Sequence, residues 1–562
     1  MFKSANSLRR FLHTKTKVLC VFMRKEHTWT DERTVKSPFD DVVVPNVCIN
    51  EYIWRNLDKW PKKTAIVCAI TNRLYTYEQL YKKTQVFGAN LRSKLNIVDQ
   101  DAVAIVLPNI PEYPIAAFGT IAAGGIATTF HPDFTAYEIQ RQLTSSEAKA
   151  IVTIPEKVPI IRQALMLCQK DLPIICIDIN EAAPEGTLSF KEAVEDCHFD
   201  LDILKQVKIC AEDISFLPYS SGTTGQPKGV QLTHRNLVAN CEQQSTECRL
   251  HSHTTDEYQD SIMAMIPFFH SYGLSLVMVH KLSVGIRIVS LPKFEPETFL
   301  NALLEYKISL LPMVPPMVNF LASYPKATPK HLEHLNLIMS GGAPIPVADI
   351  YGILEKAKTD VHFNQSYGLT ETSPLVTTIP KGYKDYTSVG LPLPNIELRV
   401  VDEQLNNLGP NEAGELLIRG PNVMKGYKSN PDANNEIFVE GGWLRTGDLA
   451  TISETGVVKI CDRLKELIKV KGHQVAPAEL ESVIRDHPAV SDSAVVGIPD
   501  ANKGEVPKAF VVLKEGVEAD EKDIMNFVAE RLIAYKRLKS VTFVDSIPKT
   551  PSGKILRRLL KD

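Results

Sequence analysis

The chain has no CxxC pair. Its ten cysteines are scattered, so neither a zinc site nor a disulfide framework is signalled, and a reducing compartment is the simpler setting. Charge of one sign is lacking too. A formal net charge of −3 over 562 residues removes any general electrostatic case for nucleic acid or an anionic membrane as partner. There is no apolar run of secretory type near the N-terminus, no internal repeat and no low-complexity linker. Residues 113 to 130 carry no charge, a length marginal for crossing a bilayer. Gly119, Gly124 and Gly125, with Pro111 and Pro114 at the head, fit a buried helix that turns into a strand, so no transmembrane segment is expected.

Acidic residues are missing before Glu26, whereas Lys3, Arg9, Arg10, Lys15, Lys17, Arg24 and Lys25 precede it. Phe2, Leu8, Phe11 and Leu12 are interspersed. That is the composition of a mitochondrial presequence, so residues 1–40 are read as a basic extension that directs import; the alternative is a disordered tail on a cytosolic protein. The C-terminal residues Leu560, Lys561 and Asp562 do not form a peroxisomal tripeptide.

What is present is a globular composition, 44% hydrophobic and 23% charged, in a chain long enough for two or more domains. Apolar runs such as Ala102 to Leu107 alternate with amphipathic patterns such as Glu78 to Leu91, which predicts doubly wound α/β layers. Beyond Leu391 the strands shorten and turns multiply, a β-rich subdomain. After residue 462 a small α+β domain is expected, with helices over Pro477 to Asp486 and Asp520 to Leu532 and strands over Ala494 to Gly497 and Ala509 to Leu513. The expected boundaries are 41–462 for the large domain and 463–562 for the small one.

The stretch Tyr219 to Val230 concentrates glycine, hydroxyl and lysine after the strand Ile214 to Leu217. Glycines permit positive φ and close backbone approach to an anion, so the phosphates of a nucleotide are the expected guest. The stretch is not a Walker loop: Pro227 stands where that motif needs glycine, and no Ser or Thr follows Lys228. Three further strand ends deliver polar or glycine-rich loops, Pro267 to Gly273, Gly341-Gly342 and Gln365 to Glu371, as α/β folds do when they build one site from distant sequence.

The full string Tyr219 to Val230 closely resembles the phosphate loop of the adenylate-forming acyl-CoA synthetases, the superfamily of luciferases, 4-coumarate–CoA ligases and peptide-synthetase adenylation domains. Gln365 to Glu371, Gly414 to Gly420, Trp443 to Asp448, Asp462 to Gly472 and Pro548 to Lys554 follow in the order of that superfamily. In texture the chain is most similar to its luciferase and 4-coumarate–CoA ligase branch. The resemblance implies two half-reactions, acyl-AMP formation from ATP and a carboxylic acid with Mg²⁺, then acyl transfer to CoA.

The resemblance also implies roles. Ser220, Ser221, Gly222, Thr223, Thr224, Gly225 and Lys228 would hold the β- and γ-phosphates, and Thr370 the α-phosphate. Glu371, with Thr224, would hold Mg²⁺. Tyr367, between Gln365-Ser366 and Gly368, would face adenine, with Gly341, Gly342 and Ala343 in close backbone approach. Asp448 and Arg463 would meet the ribose. Lys554 would bridge the acid carboxylate and the α-phosphate, two anions that repel each other. A rotation of the small domain about Lys465 would then exchange Lys554 for Lys469, Lys471 and Gly472 at the pantetheine tunnel, with His270 near the acyl carboxylate. No ring of cations or carboxylates occurs among the acyl-pocket candidates, so an apolar acid is expected: a fatty acid first, an arylpropenoate second. A luciferase-like monooxygenase would use the same adenylate. Ser366 departs from the glycine of many relatives and is expected to narrow the pocket against flat rings.

Overall fold

The computed structural model describes residues 28–179, 182–196, 200–220, 227–246, 253–358, 360–470, 473–500, 504–532, 534–550 and 553–561. The basic residues up to 27, the loop residues Ser221, Gly222, Thr223, Thr224 and Gly225, and the pair Lys471 and Gly472 lie outside the described residues.

Short apolar runs become central strands because both of their faces are covered. Seven strands form one sheet in the order His362–Gln365, Leu337–Ser340, Leu310–Met313, Ser261–Ala264, Arg287–Ser290, Thr64–Cys68 and Leu74–Thr76. Neighbours are parallel except for the last pair, a hairpin turned at Asn72 with φ of 58°. A second sheet runs Tyr219–Ser220, Lys228–Thr233, Ile214–Leu217, Ile126–Thr129, Ala102–Val106, Ala150–Thr153, Ile174–Cys176 and Leu188–Ser189. It is parallel from Ile214–Leu217 onward.

The two-residue period of a strand decides which core each side chain joins. Ile66, Ile262 and Ile288 of the first sheet share one core with Val103, Ile105 and Val152 of the second. Their neighbours Val67, Met263 and Val289 face an outer helical layer, and Ala104 and Ile151 face another. The sheets therefore stack with helices between and outside them, the doubly wound architecture expected.

The helix Tyr77–Leu95 starts in a capping box between Thr76 and Gln79 and stops at Asn96, which is left-handed at φ of 52°. It crosses the uncharged helix Tyr113–Ala122, all of whose residues through Ile121 are buried. The crossing is close enough that a Cβ on Gly88 would lie 2.8 Å from Gly119 O, and one on Gly119 would lie 2.6 Å from Phe87 Cδ1. Among the described residues no helix is long and apolar enough to cross a membrane.

An antiparallel sheet follows, built on Glu397–Val401, Gly414–Arg419, Trp443–Ile452 and Val458–Arg463. The C-terminal sheet joins Ile468–Val470, Gly504–Leu513, Val490–Asp500 and Ser540–Phe543 around a core of its own. Its long hairpin spans 11 and 10 residues, well beyond the expected strands, because polar positions such as Asp492 and Lys508 break the apolar run without breaking the ladder. Elements not anticipated include the strand Lys228–Thr233, the helices Pro315–Ser323 and Val347–Ala357 and a π-helix over Tyr272–Val279. The last is buried on all sides from Gly273 onward, so its apolar run carries no helical period to read.

Candidate active site

The carboxyl ends of four adjacent strands of the first sheet open into one cavity of about 760 Å³. Ser261–Ala264 delivers Ile266 to Tyr272, Leu310–Met313 delivers Val314, Leu337–Ser340 delivers Gly341 and Gly342, and His362–Gln365 delivers Ser366 to Glu371. Ser220, Lys228 and Tyr427 enter from the second sheet, where Gly426–Tyr427 pairs with Lys228–Thr233, and Arg445 and Gly447 enter from the antiparallel sheet. Arg463, Lys465, Thr550 and Lys554 close the far side. Ala343, Gln365 and Asp448 stand outside this lining.

At one end the polar groups are tied together. Glu371 sits in the single turn Thr370–Thr372 and is buried. Its Oε1 accepts from the Tyr427 hydroxyl at 2.8 Å, and its carbonyl accepts from Met424 N–H at 2.9 Å. Burial and the Glu371 carboxylate push the Tyr427 phenol far up, so it stays a donor. Thr370 Oγ1 lies 3.2 Å from Ser271 Oγ, and Lys228 Nζ lies 5.0 Å from the centre of the Tyr427 ring. Glu371 keeps a second carboxylate oxygen beside hydroxyl donors in the same cavity, a set that suits a hard cation such as Mg²⁺.

Asp448 is engaged within the protein. Its Oδ1 lies 2.7 Å from Arg463 Nε, and its Oδ2 accepts from the Tyr367 hydroxyl at 2.6 Å. Burial pushes the carboxyl up, and Arg463 and Tyr367 oppose that rise. Expected as ribose ligands, Asp448 and Arg463 are first partners of each other; a ribose hydroxyl would use the lone pairs left over on the carboxylate.

Lys554 reaches the cavity from a tight loop. Thr550 N–H donates to Lys554 O at 2.8 Å, and Lys554 N–H donates to Thr550 Oγ1 at 3.1 Å. Gly553 between them is left-handed at φ of 82°, and a Cβ there would come within 2.9 Å of Pro316 Cδ. Burial, then repulsion from Arg463, lowers the Lys554 pKa, with Glu466 and Asp448 pulling the other way. Lys469, on the strand Ile468–Val470, is exposed and absent from the cavity lining. The structure thus brings Lys554 to the site and leaves Lys469 out.

His270 lines the same space. Its Nδ1 accepts from Tyr272 N–H at 3.2 Å, which leaves the proton on Nε2 of the neutral ring. Burial lowers its pKa to about 4. Tyr272, Leu276, Val314, Met339, Gly341 and Ser366 line the same cavity and carry no charge. The Ser366 hydroxyl donates to Asn364 Oδ1 at 2.8 Å; the expected narrowing by Ser366 therefore comes from its Cβ, with the oxygen already partnered.

Sequence reasoning missed Tyr427 and the Arg445–Glu415 pair at 2.6 Å. Tyr427 follows Gly426, a glycine at φ of 150°. Nothing local announced that Tyr427 meets a carboxylate 56 positions away.

Residues 53–428 match the AMP-binding enzyme family and residues 479–554 match the AMP-binding enzyme C-terminal domain. Among curated proteins, 4-coumarate–CoA ligase 1 of Arabidopsis thaliana is 36% identical over 539 residues, covering 94% of each chain. A 4-coumarate–CoA ligase 2 of Nicotiana tabacum is 37% identical over 535 residues, covering 94% of this chain and 96% of its own. Among solved structures, ATP-bound MatB from Rhodopseudomonas palustris superposes with a TM-score of 0.81 at 28% identity, over 92% of this chain and 98% of its own. The anthranilate–CoA ligase AuaEII in complex with anthranoyl-AMP gives 0.81 at 25% identity, over 92% and 97%. With its strand-end cavity, its polar cluster and both matched segments, the chain belongs to the AMP-binding enzyme family.

Proposed function

We propose that the acid activated in this cavity is a medium- to long-chain fatty acid. The reaction is ATP-dependent ligation of a carboxylic acid to CoA, with an acyl-AMP between the two steps and pyrophosphate and AMP as products. The observation that carries the substrate reading is the uncharged wall of Tyr272, Leu276, Val314, Met339 and Ser366, which offers an alkyl chain apolar contact and a second carboxylate no partner.

In the first step the acid carboxylate attacks the α-phosphorus of ATP, and the obstacle is repulsion between two anions. Lys554 supplies the cation between them, Thr370 a hydroxyl toward the α-phosphate, and Lys228 a charge on the outer phosphates, groups aimed before charge builds up. Glu371 would hold Mg²⁺, which would supply further neutralisation of phosphate charge. His270 is a neutral Nε2–H donor beside the acyl carboxylate, so it orients that group without taking its proton. For the thiol step, Lys554 withdraws by rotation about Lys465 and Lys469 takes its side of the cavity. The enzyme acts in mitochondria, with residues 1 to about 30 as its address; a reporter carrying that segment should co-purify with mitochondria, and a cytosolic reporter removes the localisation.

A second reading is an arylpropenoate, favoured by 36–37% identity to relatives named 4-coumarate–CoA ligases. The test is kcat/KM for dodecanoate against 4-coumarate. Preference for 4-coumarate in the wild type overturns the fatty-acid reading. Ser366→Gly should shift the ratio toward the ring by up to about 10-fold, the smaller end of what a few heavy atoms discriminate.

A further inference from the structure

Tyr427 has no part in the steps above, yet it touches two of the groups that face the triphosphate. Its hydroxyl donates to Glu371 Oε1 at 2.8 Å, and its ring carries Lys228 Nζ 5.0 Å from its centre. Glu371 follows the end strand of the first sheet and Lys228 opens a strand of the second, and one short segment bridges them: Met424 N–H donates to the Glu371 carbonyl at 2.9 Å and Lys428 N–H donates to the Gly229 carbonyl at 2.9 Å. A carboxylate with one oxygen held by a phenol presents its other oxygen in a fixed direction. An ammonium within about 6 Å of an aromatic face is drawn toward it by the ring quadrupole.

The tyrosine is itself fixed from two sides. It pairs with Val230 across an antiparallel ladder, two residues from Lys228. Its N–H donates to Asn434 Oδ1 at 2.7 Å, and its carbonyl accepts from Asn434 Nδ2 at 3.0 Å. Gly426 before it is packed on the same asparagine, where a Cβ would sit 3.1 Å from Asn434 Oδ1. The chain thus spends a ladder pair, a side-chain clamp and a glycine on placing one aromatic residue between a carboxylate and an ammonium.

We propose that Tyr427 is a positioning residue for magnesium·ATP, its hydroxyl aiming the metal-holding carboxylate of Glu371 and its ring aiming Lys228 at the outer phosphates. The two functions separate by substitution. Tyr427→Phe keeps the ring and removes the hydroxyl, and Tyr427→Leu removes both.

The experiment measures Mn²⁺ binding by electron paramagnetic resonance in the presence of a non-hydrolysable ATP analogue, and the analogue's affinity without metal by calorimetry. In Tyr427→Phe the Mn²⁺ concentration for half-occupancy should rise about 10-fold, as for other partners of metal-holding groups, with metal-free affinity unchanged. Tyr427→Leu should weaken the metal-free affinity as well, by about 3-fold for an exposed cation–π contact. Asn434→Ala, which loosens the tyrosine's backbone, should move Mn²⁺ binding in the same direction by a smaller factor, and it decides the matter if the Phe variant does not fold. Wild-type Mn²⁺ binding in Tyr427→Phe, with only a lower melting temperature, would make the tyrosine a structural strut and overturn the proposal. So would wild-type Mn²⁺ binding in Asn434→Ala should Tyr427→Phe fail to fold.

Discussion

Glu371 and Lys554 face the same cavity but are held in opposite ways. Glu371 belongs to the large body and is fixed from several directions: by Tyr427 at its carboxylate, by Met424 at its carbonyl, and by the strand that ends at Gln365 just before it. Lys554 belongs to the small body and sits on a loop whose own hydrogen bonds, between Thr550 and residues 553 and 554, are local. Against the large body that loop makes a close packing contact, Gly553 on Pro316. A group fixed by its own sheet stays through every step of a cycle. A group whose framework is portable can be withdrawn intact, and a charge needed in only one half-reaction is best carried that way.

Removing the portable cation breaks the contrast most severely. Lys554→Ala should slow acyl-AMP formation at least about 10²–10³-fold, the cost of losing one preorganised electrostatic group, while thioester formation from supplied acyl-adenylate persists. Lys469→Ala should show the reverse bias. Single-turnover pyrophosphate release and thioester formation measure the two steps, and equal loss of both in each variant would sink the division of labour. Next in size is Lys465→Pro, which fixes φ at about −65° at the proposed pivot. Adenylation should survive and thioester formation should fall by roughly 10-fold or more, as expected when a gating motion becomes limiting; an unimpaired second step removes Lys465 as hinge. The smallest effect sharpens the comparison. Because burial and Arg463 lower the Lys554 pKa, its active ammonium form is present below that pKa and is lost as pH rises through it. The alkaline limb of adenylation should therefore lie below the ordinary lysine value of about 10.4. Lys554→Arg, whose guanidinium stays charged, should remove that limb if any activity remains, and a limb that stays in place belongs to another group.

Much of this was legible in the sequence where function and local pattern coincide. Gly341-Gly342, Ser366 to Glu371 and His270 each follow a short strand, and strand ends in such sheets face one side, so their meeting could be read from order alone. What escaped was lateral. Tyr427 with Glu371, Tyr367 with Asp448 and Arg445 with Glu415 depend on which strands lie side by side, and no periodicity encodes that choice. Segments buried on every side escaped for the opposite reason. Along Tyr272–Val279 almost every position is apolar, and a pattern without contrast has no period.

That wide helix has a consequence for how the chain could vary. A hydrogen bond reaching five residues back accommodates one residue more than an α-turn does, so it stores a spare position within a continuous rod. Deleting one residue between Leu274 and Val279 would let the rod tighten to α geometry with the segments on either side keeping their facing, whereas the same deletion in an ordinary α-helix would turn one side by about 100°, one residue's share of a 3.6-residue turn. At its amino end Gly273 is already pressed against Pro267, where a Cβ would stand 2.1 Å from the carbonyl oxygen, so that side has no room to swivel. The change would fall on the cavity-lining Leu276 and its neighbours within the wide turn, while His270 kept its place. A single deletion here would thus act as a change of lining, where elsewhere in a buried helix it would be a fault in the frame.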